Sequence, residues 1–175
     1  MGIAYNPRWT IRQELRVSPS YTPRLLLQIE AGSFEATDQN RNQLIKINGS
    51  TVVNVGSPRS YMLSQLRNTN GTWSLIASNG YDVYGNATAA GQARDFLLTF
   101  QAGDLLVLNT WDEPYNNAVS YLYPTLTADF KSKIDTYTRS FRDMHLLIAV
   151  KNKGVIYEEH RPRYSNSIHF SGWLN

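Results

Sequence analysis

The stretch that most constrains the fold runs from Thr88 to Pro114, TAAGQARDFLLTFQAGDLLVLNTWDEP. Ala89, Ala93, Phe96, Leu97 and Phe100 recur at helical spacing and line one face of a helix. Asn86 or Thr88 can cap its start, and Gly103 stands where a C′ glycine would end it. Leu105, Leu106, Val107 and Leu108 then form an apolar run without alternation, which predicts a strand covered on both faces. The run ends in Trp111-Asp112-Glu113-Pro114, two adjacent carboxylates beside an aromatic ring. A helix leading into a doubly covered strand is read as the core of the fold.

Strand signals precede it. Leu25–Ala31 and Leu44–Ile47 read as strands, the second closed by Asn48-Gly49, a hairpin signal that makes Thr51–Val53 the return strand. Gly56, Ser57 and Pro58 read as a loop. Arg59–Arg67 reads as a strand with Tyr61, Leu63 and Gln65 on one face, turned at Asn68–Gly71 into Trp73–Ala77. After Pro114, Pro124 suits the first turn of a second helix whose Leu126, Phe130 and Ile134 share a face. Met144–Val150 reads as a buried strand and Asn152-Lys153-Gly154 as the turn to Val155–Glu158. The order predicts a single α+β domain, a mostly antiparallel, sandwich-like pair of sheets with two main helices packed on it. Its bounds are residues 25–160, between an N-terminal arm, 1–24, and a C-terminal tail, 161–175.

At 175 residues the chain can bury a sizeable core, and with no cysteine it must hold together by packing alone, without disulfides or thiolate metal sites. Charged residues make up only 18 %, and Asn, Ser, Thr and Tyr fill the gap. The net charge of +3 is uneven. Arg8, Arg12, Arg16 and Arg24 stand against Glu14 alone in the arm, and Arg161 and Arg163 follow His160 with no acid. Two readings stand: basic arms that dock on acidic partners, or ordinary solvated ends. As partner-binding anchors the arms would use Arg8, Trp9, Arg12, Arg16, Tyr164 and Trp173. No apolar run approaches a membrane span, and no apolar leader is visible between Met1 and Arg16.

Four features in order are similar to a known family. They are the strand and turn from Tyr61 to Gly71, Tyr81-Asp82 with Gly85, the helix into GDLLVLNTWDEP, and SFRDMHLLIAVKNKGV from Ser140 to Val155. Together with INGSTVV, Ile47–Val53, they resemble the interleukin-like EMT inducer domain over roughly residues 25–160. That domain is also seen in the stem of protein O-mannose N-acetylglucosaminyltransferase and in long-tail-fibre hinge connectors of phages. Trp111-Asp112-Glu113 and Phe141-Arg142-Asp143 fall at places the family marks. The chain lacks the cysteines of the secreted animal members, and the phage context suits its composition better. The resemblance implies a non-enzymatic virion protein, a tail or tail-fibre connector that meets other virion proteins through its termini. It implies alternatively a carbohydrate-binding module.

The residues leave three readings for Trp111, Asp112 and Glu113. They form a loop tied down by an Asp112–Arg142 pair, a sugar contact in which the indole stacks on the ring, or a general acid/base pair. Arg142 and Asp143 at a strand entrance read as a buried structural pair. His145, His160 and His169 match no metal-ligand spacing, and no phosphate loop, nucleophile elbow or RNA-binding signature is present. Neither a cofactor nor a metal is expected, nucleic acid is not an expected partner, and glycan remains a candidate one.

Overall fold

A computed structural model describes residues 24–40, 43–54, 60–138 and 140–174. Arg8, Trp9, Arg12, Arg16 and the loop at Gly56–Pro58 lie outside these residues, as does Thr10–Val17, where the apolar Ile11, Leu15 and Val17 suggest a short strand in the sequence.

The described residues form nine strands and three helices in chain order: β1 Leu25–Ala31, β2 Leu44–Ile47, β3 Ser50–Asn54, β4 Ser60–Thr69, β5 Thr72–Asp82, α1 Ala87–Leu98, β6 Leu105–Trp111, α2 Asn117–Tyr121, α3 Tyr123–Phe130, β7 Met144–Val150, β8 Gly154–Arg161 and β9 Ile168–Leu174. They form a four-stranded sheet, β3-β2-β1-β9, and a five-stranded sheet, β5-β4-β6-β7-β8, every pair antiparallel. The class is the expected one, α+β and sandwich-like.

The five-stranded sheet is the middle layer. Leu106 and Leu108 of β6, Tyr61 and Leu63 of β4 and Leu147 of β7 point into one core with Ala90, Ala93, Leu97, Leu126 and Phe130 of the helices. Their neighbours Leu105, Val107, Met62, Leu146 and Ile148 point the other way, into a second core with Leu25, Leu27, Ile29, Ile45 and Ile168 of the smaller sheet. The period of two along a strand produces this division. It is also why β6, central and paired on both edges, shows no polar alternation: all seven of its residues are buried.

Local chemistry sets the boundaries. Asn86 caps α1 by accepting a hydrogen bond from the Ala89 N–H at 3.1 Å. The helix closes at Thr99, whose N–H returns to the Phe96 carbonyl. Gly103 is therefore not its C′ residue; with φ +91° it makes the turn into β6 and donates its N–H to the Lys151 carbonyl. Asn48-Gly49 and Asn70-Gly71 carry positive φ at both positions, as a two-residue hairpin turn requires.

Two expectations need correction. The second helix does not reach Ile134: it ends at Phe130 because Lys131 adopts a left-handed φ of +59°. Ile134 still reaches the core from a single 3-10 turn, Ile134–Thr136. The second helix, α3, is preceded by α2, a short helix separated from it by Leu122. The C-terminal stretch is not a free tail. Within it β9 pairs with β1 from Leu25↔Leu174 to Ala31↔Ile168, burying Ile168 and Leu174 and leaving His169, Ser171 and Trp173 outside.

Double coverage of β6 makes a testable demand. Leu106→Ala opens a cavity under the helices and Leu105→Ala one under the smaller sheet, so each should cost about 2–5 kcal/mol. Leu98→Ala, at an exposed site on α1, should cost far less. Urea denaturation of the three variants measures the difference.

Candidate functional site

Asp112, Glu113, Arg142 and Asp143 gather at one pole of the sandwich, where β1 and β6 end and β7 begins. There the two sheets touch: Gly32 bridges Trp111, and the Asp112 N–H donates to the Gly32 carbonyl. Just inside, Asn109 donates to the Glu30 carbonyl at 2.7 Å and Gln43 to the Asn109 carbonyl at 3.0 Å, so buried amides tie sheet to sheet.

Arg142 is the centre of the pole. Its Nε lies 2.9 Å from Asp112 Oδ1 and its Nη1 3.0 Å from Glu35 Oε1. The Nε–H is turned off the line to Asp112 Oδ1, so that contact is charge on charge, whereas the one to Glu35 is also a hydrogen bond. Both members of the first pair hold left-handed backbones, Asp112 at φ +57° and Arg142 at +64°. For Asp this is a tolerated conformation; for Arg it is uncommon and costs about 1–2 kcal/mol. The expected Asp112–Arg142 pair is therefore present, and Glu35 completes it.

Asp143 is not Arg142's partner, although the sequence places them side by side. Its carboxylate accepts from the Ser140 N–H at 2.6 Å and the Arg163 N–H at 3.0 Å, and it faces His160 Nε2 at 3.3 Å. Adjacent residues diverge because Asp143 turns into the sheet as β7 begins. Glu113 accepts from the Tyr115 and Arg142 N–H groups at 2.9 and 2.6 Å. Burial pushes its carboxyl up; the two N–H groups oppose this, and the negative charges of Asp112 and Asp143 add to it.

Trp111 does not present the open face that the sugar-contact reading uses. Trp111 is only 4 % exposed, and its indole packs against Phe34 with centroids 5.1 Å apart. Asp112 and Glu113 are buried too, and their oxygens serve the groups just named. Trp111 ends an all-buried strand, so its ring continues the core instead of facing a cleft. A neighbouring cavity of about 10 Å3, at the lower limit for one water, is lined by Tyr61, Tyr123, Asp143, His145 and His160. It has no room for a sugar ring.

Around that cavity lies a network the sequence did not announce. His145 Nε2 meets Glu158 Oε1 at 3.0 Å, its Nδ1 is 3.4 Å from the Tyr61 hydroxyl, and that hydroxyl is 3.2 Å from Tyr123 Oη. Burial pushes the Glu158 carboxyl up. Hydrogen bonds from His145, the Lys133 N–H and the Ser132 hydroxyl outweigh it and hold the group below its usual range. His160 stacks on Tyr137 at 5.0 Å. Among the described residues no three such side chains converge to hold a metal.

Outside this buried layer the same pole is aromatic and basic. Phe34, Phe141 and Tyr164 are exposed; the Arg142 guanidinium covers Phe141 at 4.7 Å and that of Arg163 covers Tyr164 at 4.9 Å. Arg163 also reaches Glu35 at 3.9 Å. Tyr164 was expected as an anchor; Phe34 and Phe141 were not, because exposure of a single Phe leaves no mark on a sequence. Trp173, also expected as an anchor, is 59 % exposed but on β9, toward the opposite pole. Neither a family model nor a curated protein matches this chain.

Two outcomes follow. Arg142→Ala removes the counter-charge of a buried carboxylate and should cost about 3–5 kcal/mol. Arg142→Gly should cost about 1 kcal/mol less, because glycine accepts the left-handed backbone; chemical denaturation compares the two. For Glu158 the depressed folded-state pKa means that its contribution is complete above the ordinary value of 4.5 and is lost as pH falls through and below it. The difference in Tm between the wild type and Glu158→Gln should thus be widest near neutral pH and shrink toward pH ~3, as thermal melts across that range would record.

Proposed function

We propose that this chain is a non-enzymatic connector, a structural protein of a virus particle that joins other tail or tail-fibre proteins at its two poles. The observation that carries the reading is the polarity of the smaller sheet. The chain enters β1 at Leu25, whose antiparallel partner is Leu174, so the junction at Arg24 with the basic N-terminal segment lies at the pole where β9 ends. Ala31 and Ile168 mark the other pole, where Phe34, Phe141 and Tyr164 stand exposed among Arg142 and Arg163. Aromatic side chains and arginine are the residues that dominate protein–protein hot spots, and here Arg142 and Arg163 are tied to Asp112 and Glu35 beneath them.

Arg161 does not belong to a second arm: it is committed to Glu159 and to the Ser167 carbonyl. The second contact surface is therefore a patch on the folded domain, not a tail. The carbohydrate-binding alternative is left without its platform, since Trp111 is buried. Resemblance to the interleukin-like EMT inducer domain of phage hinge connectors supports the connector reading and remains part of the proposal.

Deleting residues 1–20 and, separately, replacing Phe141 and Tyr164 by Ala should leave the domain folded and disrupt different junctions. Incorporation into particles, with circular dichroism as the control for folding, tests this. Normal assembly of both variants would sink the proposal. Specific binding on a glycan array, lost in Trp111→Ala, would favour the carbohydrate module instead.

A further inference from the structure

Among the described residues the two sheets have four edge strands, β3, β5, β8 and β9, and three of them share a defect. In β3 the register slips between Ile45↔Val53 and Lys46↔Thr51, leaving Val52 as the extra residue. In β5 it slips between Gln65↔Ala77 and Leu66↔Leu75, leaving Ile76. In β8 it slips between Ile148↔Tyr157 and Ala149↔Val155, leaving Ile156. A bulge twists an edge away from regular pairing and is one of the ways sheets avoid adding a foreign strand.

β9 has no such protection. Its seven residues, IHFSGWL, pair with β1 in unbroken register, and no other described strand occupies its far side. The strand holds no proline, lysine or acid, and Trp173 lies exposed near its end. A long, regular, uncharged edge is a template for strand addition.

We propose that β9 pairs with β9 of a second copy of this chain, antiparallel about a two-fold axis at Ser171, so that two four-stranded sheets become one. The edge is complementary to itself, as a two-fold contact requires. The register that overlaps all seven residues sets Ser171 against Ser171, Phe170 against Gly172, His169 against Trp173 and Ile168 against Leu174. Faces match: His169, Ser171 and Trp173 are exposed on one side, while Ile168 and Leu174 are buried on the other. A large side chain meets the smallest residue, since Gly172 carries none and the ring of Phe170 already lies over it, 2.9 Å from where a Cβ would stand. The imidazole of His169 meets an indole face, and no pair of like carboxylates or lysines is created. This contact does not depend on the connector reading.

Sedimentation velocity on the full chain tests it. The wild type should be dimeric at micromolar concentration. Ser171→Lys and Ser171→Glu each put like charges directly opposite one another on the axis and should raise the dissociation constant by about tenfold or more. Their circular dichroism should be unchanged, because Ser171 faces solvent. Mixing the two variants should restore a dimer containing one of each. Should either variant misfold, Trp173→Arg, at an exposed position, serves in its place. A wild type that stays monomeric at every accessible concentration would overturn the proposal. So would a dimer that survives both Ser171 variants, or a mixture that fails to re-pair.

Discussion

A strand with no polar face has to be covered twice, and most of this architecture is a response to β6. Leu106 and Leu108 need one cover, which α1 and α3 supply; Leu105 and Val107 need another, which β1, β2 and β9 supply. The neighbours β4 and β7 inherit the same division, since antiparallel pairing keeps facing residues on one side of the sheet. The smaller sheet is thus not an appendage but the second wall of the core.

Two layers stacked on apolar contact alone could slide, because hydrophobic attraction has no direction. The polar groups at the finish of β6 supply the direction, while those at its start fix β6 to β4 within one sheet. At the start Asp104 takes a paired set of bonds from Arg67, at 2.7 and 2.8 Å, and another from Gln65. Burial raises the Asp104 carboxyl, and these donors with the Gln101 N–H more than reverse it. At its finish Asp112, Glu35 and Arg142 bind the smaller sheet's exit to the turn before β7. Replacing one member of such a cluster strands the rest in a site that water reaches poorly.

Much of this was legible in the residues. The bounds of β1, β2 and β7 follow from apolar runs between turn residues, and Asn86, Asn48-Gly49 and Asn70-Gly71 announce their local structure because a backbone bond or a positive φ demands those side chains. The ion pair between Asp112 and Arg142 was legible as charge logic. What stayed hidden depends on distance in the chain: Glu35 joining Arg142, His145 meeting Glu158, and Asp143 turning from its neighbour to His160. β9 was missed because its outward residues are neutral and its alternation is interrupted by Gly172, so seven residues of strand read as tail. Trp111 stayed ambiguous for the opposite reason. An aromatic beside two acids fits a tied-down loop as well as a binding site, and burial, which no local pattern encodes, makes it part of the core.

The pairing of β1 with β9 joins nearly the first described residue to the last. Protein synthesis delivers the chain from its N-terminus, so β1, β2 and the whole five-stranded sheet can emerge from the ribosome before the strand that completes the small sheet exists. During that interval β1 is itself an open edge, with Leu25, Leu27 and Ile29 lacking the wall that β9 helps to build. Closure waits until β9 has been made, and until then the nascent domain is nearly finished and adhesive along one side.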